Sequence, residues 1–300
     1  LEESKPMNIN PHISTEALPQ PIFTLRQDIE REFESLLRGE KNKITIFHLQ
    51  GEAGIGKTYL INKLGNIASN LGHDVVPLDM HYSENHNPRK ILQDIAEKTN
   101  FYENKELGDA LDKHLGADEE DIYIGIADKE TFEGSLFNAA ILIKNAIRKQ
   151  NLPVFLIDTI DDNPSIKQLE LWLVQLIEIF RDEAYFIIAG RDPFEQLIQS
   201  DVRHHVLSFK IGPLDISEIH ELVKSAREKL GIRRYGQTIE FNDPLFSSIA
   251  EISKGRPLHL LWILFYFEAS DNKTKWSRLI EPENIENLLE NIAIDLWTDG

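Results

Sequence analysis

The chain has 300 residues, 41% hydrophobic and 27% charged, the composition of a globular protein of one large or two ordinary domains. A net charge of −18 argues against a broad nucleic-acid-binding face, because phosphate contacts need clustered Lys and Arg. No apolar run approaches the length of a bilayer-spanning helix and no signal-peptide pattern opens the chain. The absence of Cys excludes disulfides and thiolate metal sites and is consistent with a reducing cytoplasm.

Residues 1–21 are polar and rich in Pro and Asn, and read as a linker or extended arm. The chain opens on Leu1 rather than Met, as expected of a piece of something longer. Leu25, Ile29, Phe33, Leu36 and Leu37 predict a helix over 23–37, and 39–43 is its turn. The apolar run ITIFHL predicts a buried strand that ends at Gln50. Gly51, Gly56, Lys57 and Thr58 then fit G-x-x-x-x-G-K-[ST], with a further Gly54 inside it. Leu60, Leu64, Ile67 and Leu71 have helical spacing directly after it, so the motif has the strand and the helix that it requires. Glycines let consecutive backbone N–H groups turn inward on an anion, and the helix aims its positive end at the same point. In that pattern Lys57 reaches β- and γ-phosphates and Thr58 holds Mg²⁺.

A second strand is predicted over 75–80 and a helix over 87–98, with Pro88 suited to a helix start. Residues 101–135 read as an acidic insertion with one short helix near 106–115. A helix over 137–149 and a third strand, PVFLID over 153–158, follow. An amphipathic helix over 165–180 leads to a fourth strand, AYFIIA over 184–189, and 206–209 reads as a short fifth. Strands alternating with helices mean crossovers and a mainly parallel sheet, whose ligands bind beyond the carboxyl ends of the strands. From Leu214 onward helices follow without obvious strands, over 215–229, 243–254, 257–267 and 282–296. The expected organisation is an arm over 1–21 and an α/β domain over 22–212 with the insertion at about 101–135. A helical lid over 213–270 follows, then a C-terminal helix, or the start of a further domain, over 271–300.

Three acidic positions and one Arg fall at predicted strand ends. Asp158 follows four apolar residues, where a carboxylate orders Mg²⁺, usually through water. Thr159 stands where many phosphate-loop ATPases carry a Glu that polarises the attacking water, and a hydroxyl is no carboxylate base. Asp161 or Asp162, just beyond, is the candidate for water positioning. Arg191 follows YFIIAG, where a guanidinium can touch the γ-phosphate and tell triphosphate from diphosphate. Pro257, in Gly255-Arg256-Pro257-Leu258, opens a lid helix and can press against base or ribose. The ten His form no recognisable metal set.

These pieces resemble the STAND class of signalling P-loop ATPases, a branch near the AAA+ proteins. GEAGIGKT (51–58) is similar to the NACHT phosphate loop, and DTIDD (158–162) resembles the NACHT pattern of a small residue after the Mg²⁺ Asp. IIAGR (187–191) and GRPL (255–258) are similar to the NB-ARC sensor-arginine strand and its lid motif. IGPLDISEIHEL (211–222) is similar to the segment joining sheet and lid in both groups. PIFTLRQDIEREFESLL (21–37) resembles their N-terminal helix, with Leu25-Arg26 where the family has Gly-Arg. The resemblance implies a three-layer α/β/α P-loop NTPase fold with a five-stranded sheet and a small helical lid. It implies a site for ATP or ADP with Mg²⁺ built from Ile22, Phe23, Arg26, Gly51, Glu52, Ala53, Gly54, Ile55, Gly56, Lys57, Thr58, Tyr59 and Pro257. It further implies slow hydrolysis, an ADP-held off state, self-association through the ATPase module, and trigger and effector domains elsewhere, with bacterial relatives often serving in defence against phage. The rivals are an AAA+ motor or loader acting on DNA or protein, a phosphotransferase, and a scaffold with a decayed site.

Overall fold

The computed structural model describes residues 26–39, 44–80, 87–99, 101, 104–115, 129–147, 152–160, 164–191, 194, 197, 199–229, 250, 251, 253–261 and 263. The arm, the helix predicted over 282–296 and the whole segment 231–249 lie outside them. Contacts divide the chain into two compact units. One holds 28–50 and 57–210; the other holds 26, 27, 51–56 and the described residues from 211 onward.

The first unit is a five-stranded sheet in the order β2-β3-β4-β1-β5, with β1 Ile46–Gln50, β2 Val75–Asp79, β3 Val154–Ile160, β4 Tyr185–Gly190 and β5 Val206–Lys210. Every pairing is parallel. Parallel strands need crossovers, and helices lie between them in the chain: α1 Gln27–Leu37 precedes β1, and α2 Lys57–Asn70, α3 Pro88–Lys98, α4 Lys105–Leu115, α5 Lys129–Ala146 and α6 Pro164–Phe180 follow it. Asn87 caps α3 through its side chain, which accepts from the Arg89 amide at 2.9 Å, and Pro88 takes the first turn where no donor is needed.

Strand alternation sorts the layers. Ile46, Val76, Leu78, Phe155, Ile157, Phe186 and Ile188 share one face and pack in a single cluster with residues of α3, α4, α5 and α6. Phe155 stands at its centre, edge-on to Phe180 at 5.6 Å and tilted on Phe186 at 5.0 Å. α6 alone buries Leu169, Leu173, Val174, Leu176, Ile177 and Phe180, each worth about 1.5–3 kcal/mol when fully removed from water. The opposite face carries Phe47, which meets Phe33 of α1 edge-on at 5.2 Å and Phe209 at 5.2 Å. α2 lies beside α1 there, tied by a Lys63–Glu30 ion pair of 2.5 Å. The result is the three-layer α/β/α fold with a parallel five-stranded sheet, as the strand–helix alternation predicts.

Two elements depart from the sequence expectation. α5 begins at Lys129, eight residues before the predicted start, and runs through Gly134. That glycine reads as a break, yet no atom lies within 4 Å of where its Cβ would be, and the buried Leu136, Ala139, Ala140 and Ile143 hold the helix regardless of its propensity. β3 continues past Asp158 through Thr159 and Ile160, with a register shift against β4 between Ile157 and Ile160. β-branched residues favour the extended chain, and an irregularity at a sheet end re-aims the side chains beside it. Among the described residues, no helix is long and apolar enough to cross a membrane.

His48 is fully buried on β1, opposite Ser208 of β5. Its Nδ1 lies 3.1 Å from Gln50 Nε2 and 3.5 Å from Ser208 Oγ, while Nε2 has no hydrogen-bond partner among the described residues. Burial lowers its pKa from 6.5 to about 4. The unfolded chain therefore binds a proton that the folded one refuses, and stability falls as pH drops from 6.5 to about 4. The full effect is about 3 kcal/mol. Denaturant unfolding across that window should show the wild type losing this increment relative to His48→Leu; parallel pH profiles would refute the assignment.

Candidate functional site

In the sheet unit, Asp158 and Arg191 sit at or just past the carboxyl ends of strands, and Lys57 opens the helix that follows the glycine loop. Lys57 is the first residue of α2 and is 9% exposed; Thr58 and Tyr59 follow it, half-buried. Asp158 is 2% exposed on β3. Arg191 follows β4 directly and is exposed. The sheet order places β4 between β1 and β3, so the strand that leads to Arg191 separates the strand before the glycine loop from the strand that carries Asp158. A long-range pairing thus brings together the ends of strands more than 100 residues apart in the chain.

Asp79 is a residue that the sequence expectation passes over. It ends β2 in register with Asp158 and is 4% exposed, which brings a second carboxylate to the same edge. Its signal is present in the sequence: VVPLD ends on Asp after an apolar run in the same way as PVFLID. Asp161, Asp162, Ile22 and Phe23 lie outside the described residues.

The second unit contains the glycine loop itself. Gly54 has φ +73° and Gly56 φ +96°, left-handed conformations that Cβ-bearing residues avoid. The Ile55 amide closes the turn onto the Glu52 carbonyl at 3.4 Å, and Ile55 is buried while Glu52 and Ala53 are exposed. A Cβ on Gly51 would lie 2.7 Å from the Ile211 carbonyl oxygen, so only glycine fits there. Pro257 begins a helical stretch over 257–261, and its ring is 3.5 Å from a Cβ built on Gly56.

Arg26 is engaged by protein groups. It has φ +64°, donates from Nη2 to the Gly212 carbonyl, and places Nη1 3.9 Å from Glu218. Glu218 and Asp215 form a reciprocal cap on helix α7, Ile216–Lys229. The Glu218 amide donates to Asp215 Oδ1 at 2.8 Å and the Asp215 amide to Glu218 Oε2 at 3.0 Å. Hydrogen bonds from Ser217 and from the Glu218 amide hold the Asp215 carboxyl below its ordinary pKa. Gly255, at φ +67°, returns the chain to this cap, its carbonyl accepting from the Leu214 amide at 2.8 Å.

The chemistry available is that of an anion cradle. Two left-handed glycines can turn successive amides toward one point, and a helix start with a buried Lys follows them directly in the chain. Mg²⁺ is held by one or two carboxylates plus phosphate oxygens and water, a role open to Asp158 and to the Thr58 hydroxyl. The residues present therefore fit a Mg²⁺–nucleotide.

No protein-family model matches the chain, and no curated protein does. Among solved structures the chain is similar to AMPPCP-bound DnaA from Aquifex aeolicus, with a TM-score of 0.46 and 15% identity over 88% of this chain and 65% of that one. It is also similar to PCH-2 from C. elegans, with a TM-score of 0.36 and 14% identity over 89% and 68% of the two chains. A DNA replication initiation factor matches with a TM-score of 0.38 and 15% identity over 92% and 67%. All three TM-scores lie below 0.5.

Gly255→Ala tests the turn. A Cβ there would meet the Leu214 carbonyl oxygen at 2.6 Å and Pro213 Cβ at 2.8 Å, on top of the strained φ. The expected cost is about 2–4 kcal/mol, read as a lowered thermal midpoint. An unchanged midpoint would refute the close approach.

Proposed function

We propose that this protein is a Mg²⁺-dependent P-loop ATPase, related broadly to the AAA+ proteins, that binds ATP and ADP and hydrolyses ATP slowly. The observation that carries the reading is the loop 51–57, in which left-handed Gly54 and Gly56 lead directly into a helix whose first residue is a buried Lys. The backbone amides of that loop hold the β-phosphate, and the Lys57 ammonium spans β- and γ-oxygens. The Thr58 hydroxyl and Asp158 hold the cation. When bound, Mg²⁺ offsets the charge that builds on the phosphate oxygens as the terminal bond breaks. Arg191 contacts the γ-phosphate and senses its loss. Thr159 provides no carboxylate directly after Asp158, so water activation falls to weaker groups and turnover is slow; Asp161 or Asp162 is the proposed substitute. Tyr59, Pro257, Ile22 and Phe23 complete the set of residues proposed to contact the nucleotide.

Lys57→Ala should weaken ATP and ADP binding by at least about tenfold, and Asp158→Asn should leave ATP binding but lower Mg²⁺-dependent turnover by about a hundredfold. Calorimetric titration and a phosphate-release assay check the pair. Unchanged affinity in Lys57→Ala removes the proposal.

Two finer readings share this chemistry. The first is a STAND-type switch of NACHT or NB-ARC character, held off by ADP, exchanging it for ATP and assembling through its ATPase module, as the central part of a larger signalling or defence protein. The second is an AAA+-type motor or loader that turns over continuously on DNA or protein. The net charge of −18 and Thr159 favour the first. Mass spectrometry of nucleotide released from the purified protein separates them. Retained ADP with slow turnover supports the switch, and an empty site with rapid, DNA-stimulated turnover supports the motor.

A further inference from the structure

The tip of the glycine loop is fastened to the turn that carries Gly255-Arg256-Pro257-Leu258, within the second unit. The Arg256 guanidinium donates to the Glu52 carboxylate. The Leu258 amide donates to the Gly54 carbonyl at 3.3 Å. A Cβ built on Gly54 would stand 3.4 Å from Leu258 Cβ, and one built on Gly56 3.5 Å from Pro257. Polar contacts at Glu52 and Gly54 therefore seat this turn against the loop, and the chain passes close to Gly54 and Gly56 there. The turn itself is tightly built: Lys254 and Gly255 are consecutive left-handed residues at φ +50° and +67°, and the Arg256 amide closes onto the Ser253 carbonyl at 2.9 Å.

The ion pair is solvent-accessible, with side-chain exposures of 32% for Arg256 and 71% for Glu52. Such a pair contributes little to global stability and is sensitive to salt. Its leverage is local. A phosphate anion stays bound only while the loop amides keep their aim, and the Glu52 carboxylate and Gly54 carbonyl are the handles by which the turn grips that loop from outside. We propose that the Glu52–Arg256 pair, with the Leu258–Gly54 hydrogen bond, is a latch that sets how long a nucleotide remains in the phosphate loop. Glu52 and Arg256 are positioning residues here, acting through the loop backbone. The inference rests on the reading of that loop as a nucleotide site and adds to it the step that limits release.

The test is stopped-flow displacement of a fluorescent ADP analogue from the full chain. Glu52→Gln and Arg256→Gln should each speed release by about two- to fivefold, the size expected of an exposed ion pair. The double neutral variant should be no faster than the quicker single one, and the swap Glu52→Arg with Arg256→Glu should return the rate toward wild type. Added salt should speed release from the wild type more than from the neutral variants. Thermal midpoints within about 2 °C of wild type separate the latch from a general loss of fold. Unchanged release in both single variants overturns the latch while the nucleotide reading stands. A split result, with Arg256→Gln weakening ATP and Glu52→Gln strengthening it, also overturns it, by making Arg256 a phosphate ligand that Glu52 competes for. A wild type that takes up no analogue sinks the nucleotide reading, and the latch with it.

Discussion

Five strands that all run one way impose the constraint on which the sheet unit depends. Each parallel pairing forces the chain to leave one end of the sheet and cross back over a face before the next strand begins. The crossovers bury both faces, which is why β1, β3 and β4 are apolar along almost their whole length. They also gather the strand exits at one edge. Gln50, Asp79, Asp158 and Gly190 come from distant parts of the chain and are neighbours only because the sheet order is β2-β3-β4-β1-β5. An antiparallel sheet of the same strands would scatter them between two edges.

Given that edge, backbone conformation governs the glycine loop. Gly54 and Gly56 adopt left-handed conformations, and Gly51 lies where a Cβ would collide with a carbonyl oxygen. The three glycines of the motif thus answer two separate demands: a sharp turn at 54 and 56, and close approach of another chain segment at 51. Arg26 and Lys254 take left-handed backbone without being glycine, and each stands at the start of a tightly hydrogen-bonded junction, with Gly212 and Glu218 in one case and Ser253 in the other. Local strain of this kind persists because the surrounding contacts over-determine it.

Polar groups taken out of water are the main cost the core carries. Lys63 is 7% exposed and is paired with Glu30, and this pair joins the two helices on one face of the sheet. Replacing such a pair by apolar residues is often neutral, whereas removing one partner is costly, so its value lies in fixing how α1 sits beside α2. His48 is a different case. It remains neutral because burial disfavours its protonated form, and it makes the fold sensitive to acid.

Much of this architecture was legible in the chain itself, because its signals are short-range. Apolar β-branched runs announced all five strands, and a period near 3.6 announced the helices that connect them. The spacing of Gly51, Gly56, Lys57 and Thr58 announced a glycine turn leading into a helix. Asp158 and Arg191 were visible as polar residues directly after apolar runs. The rest depended on long-range packing. Gly134 reads as a helix breaker, and only burial of the residues around it made α5 continue. Asp79 acquired meaning when register set it beside Asp158. Arg26, which the family resemblance implies for a nucleotide, has a guanidinium that contacts Gly212 and Glu218. The pairing of Glu52 with Arg256 spans 204 residues, a separation over which no local periodicity carries information. Sequence by itself determined which segments are strands, helices and glycine turn, since backbone propensity and side-chain period act within a few residues. Tertiary structure alone decided which charges meet, since that follows from strand order and from where the chain returns to itself.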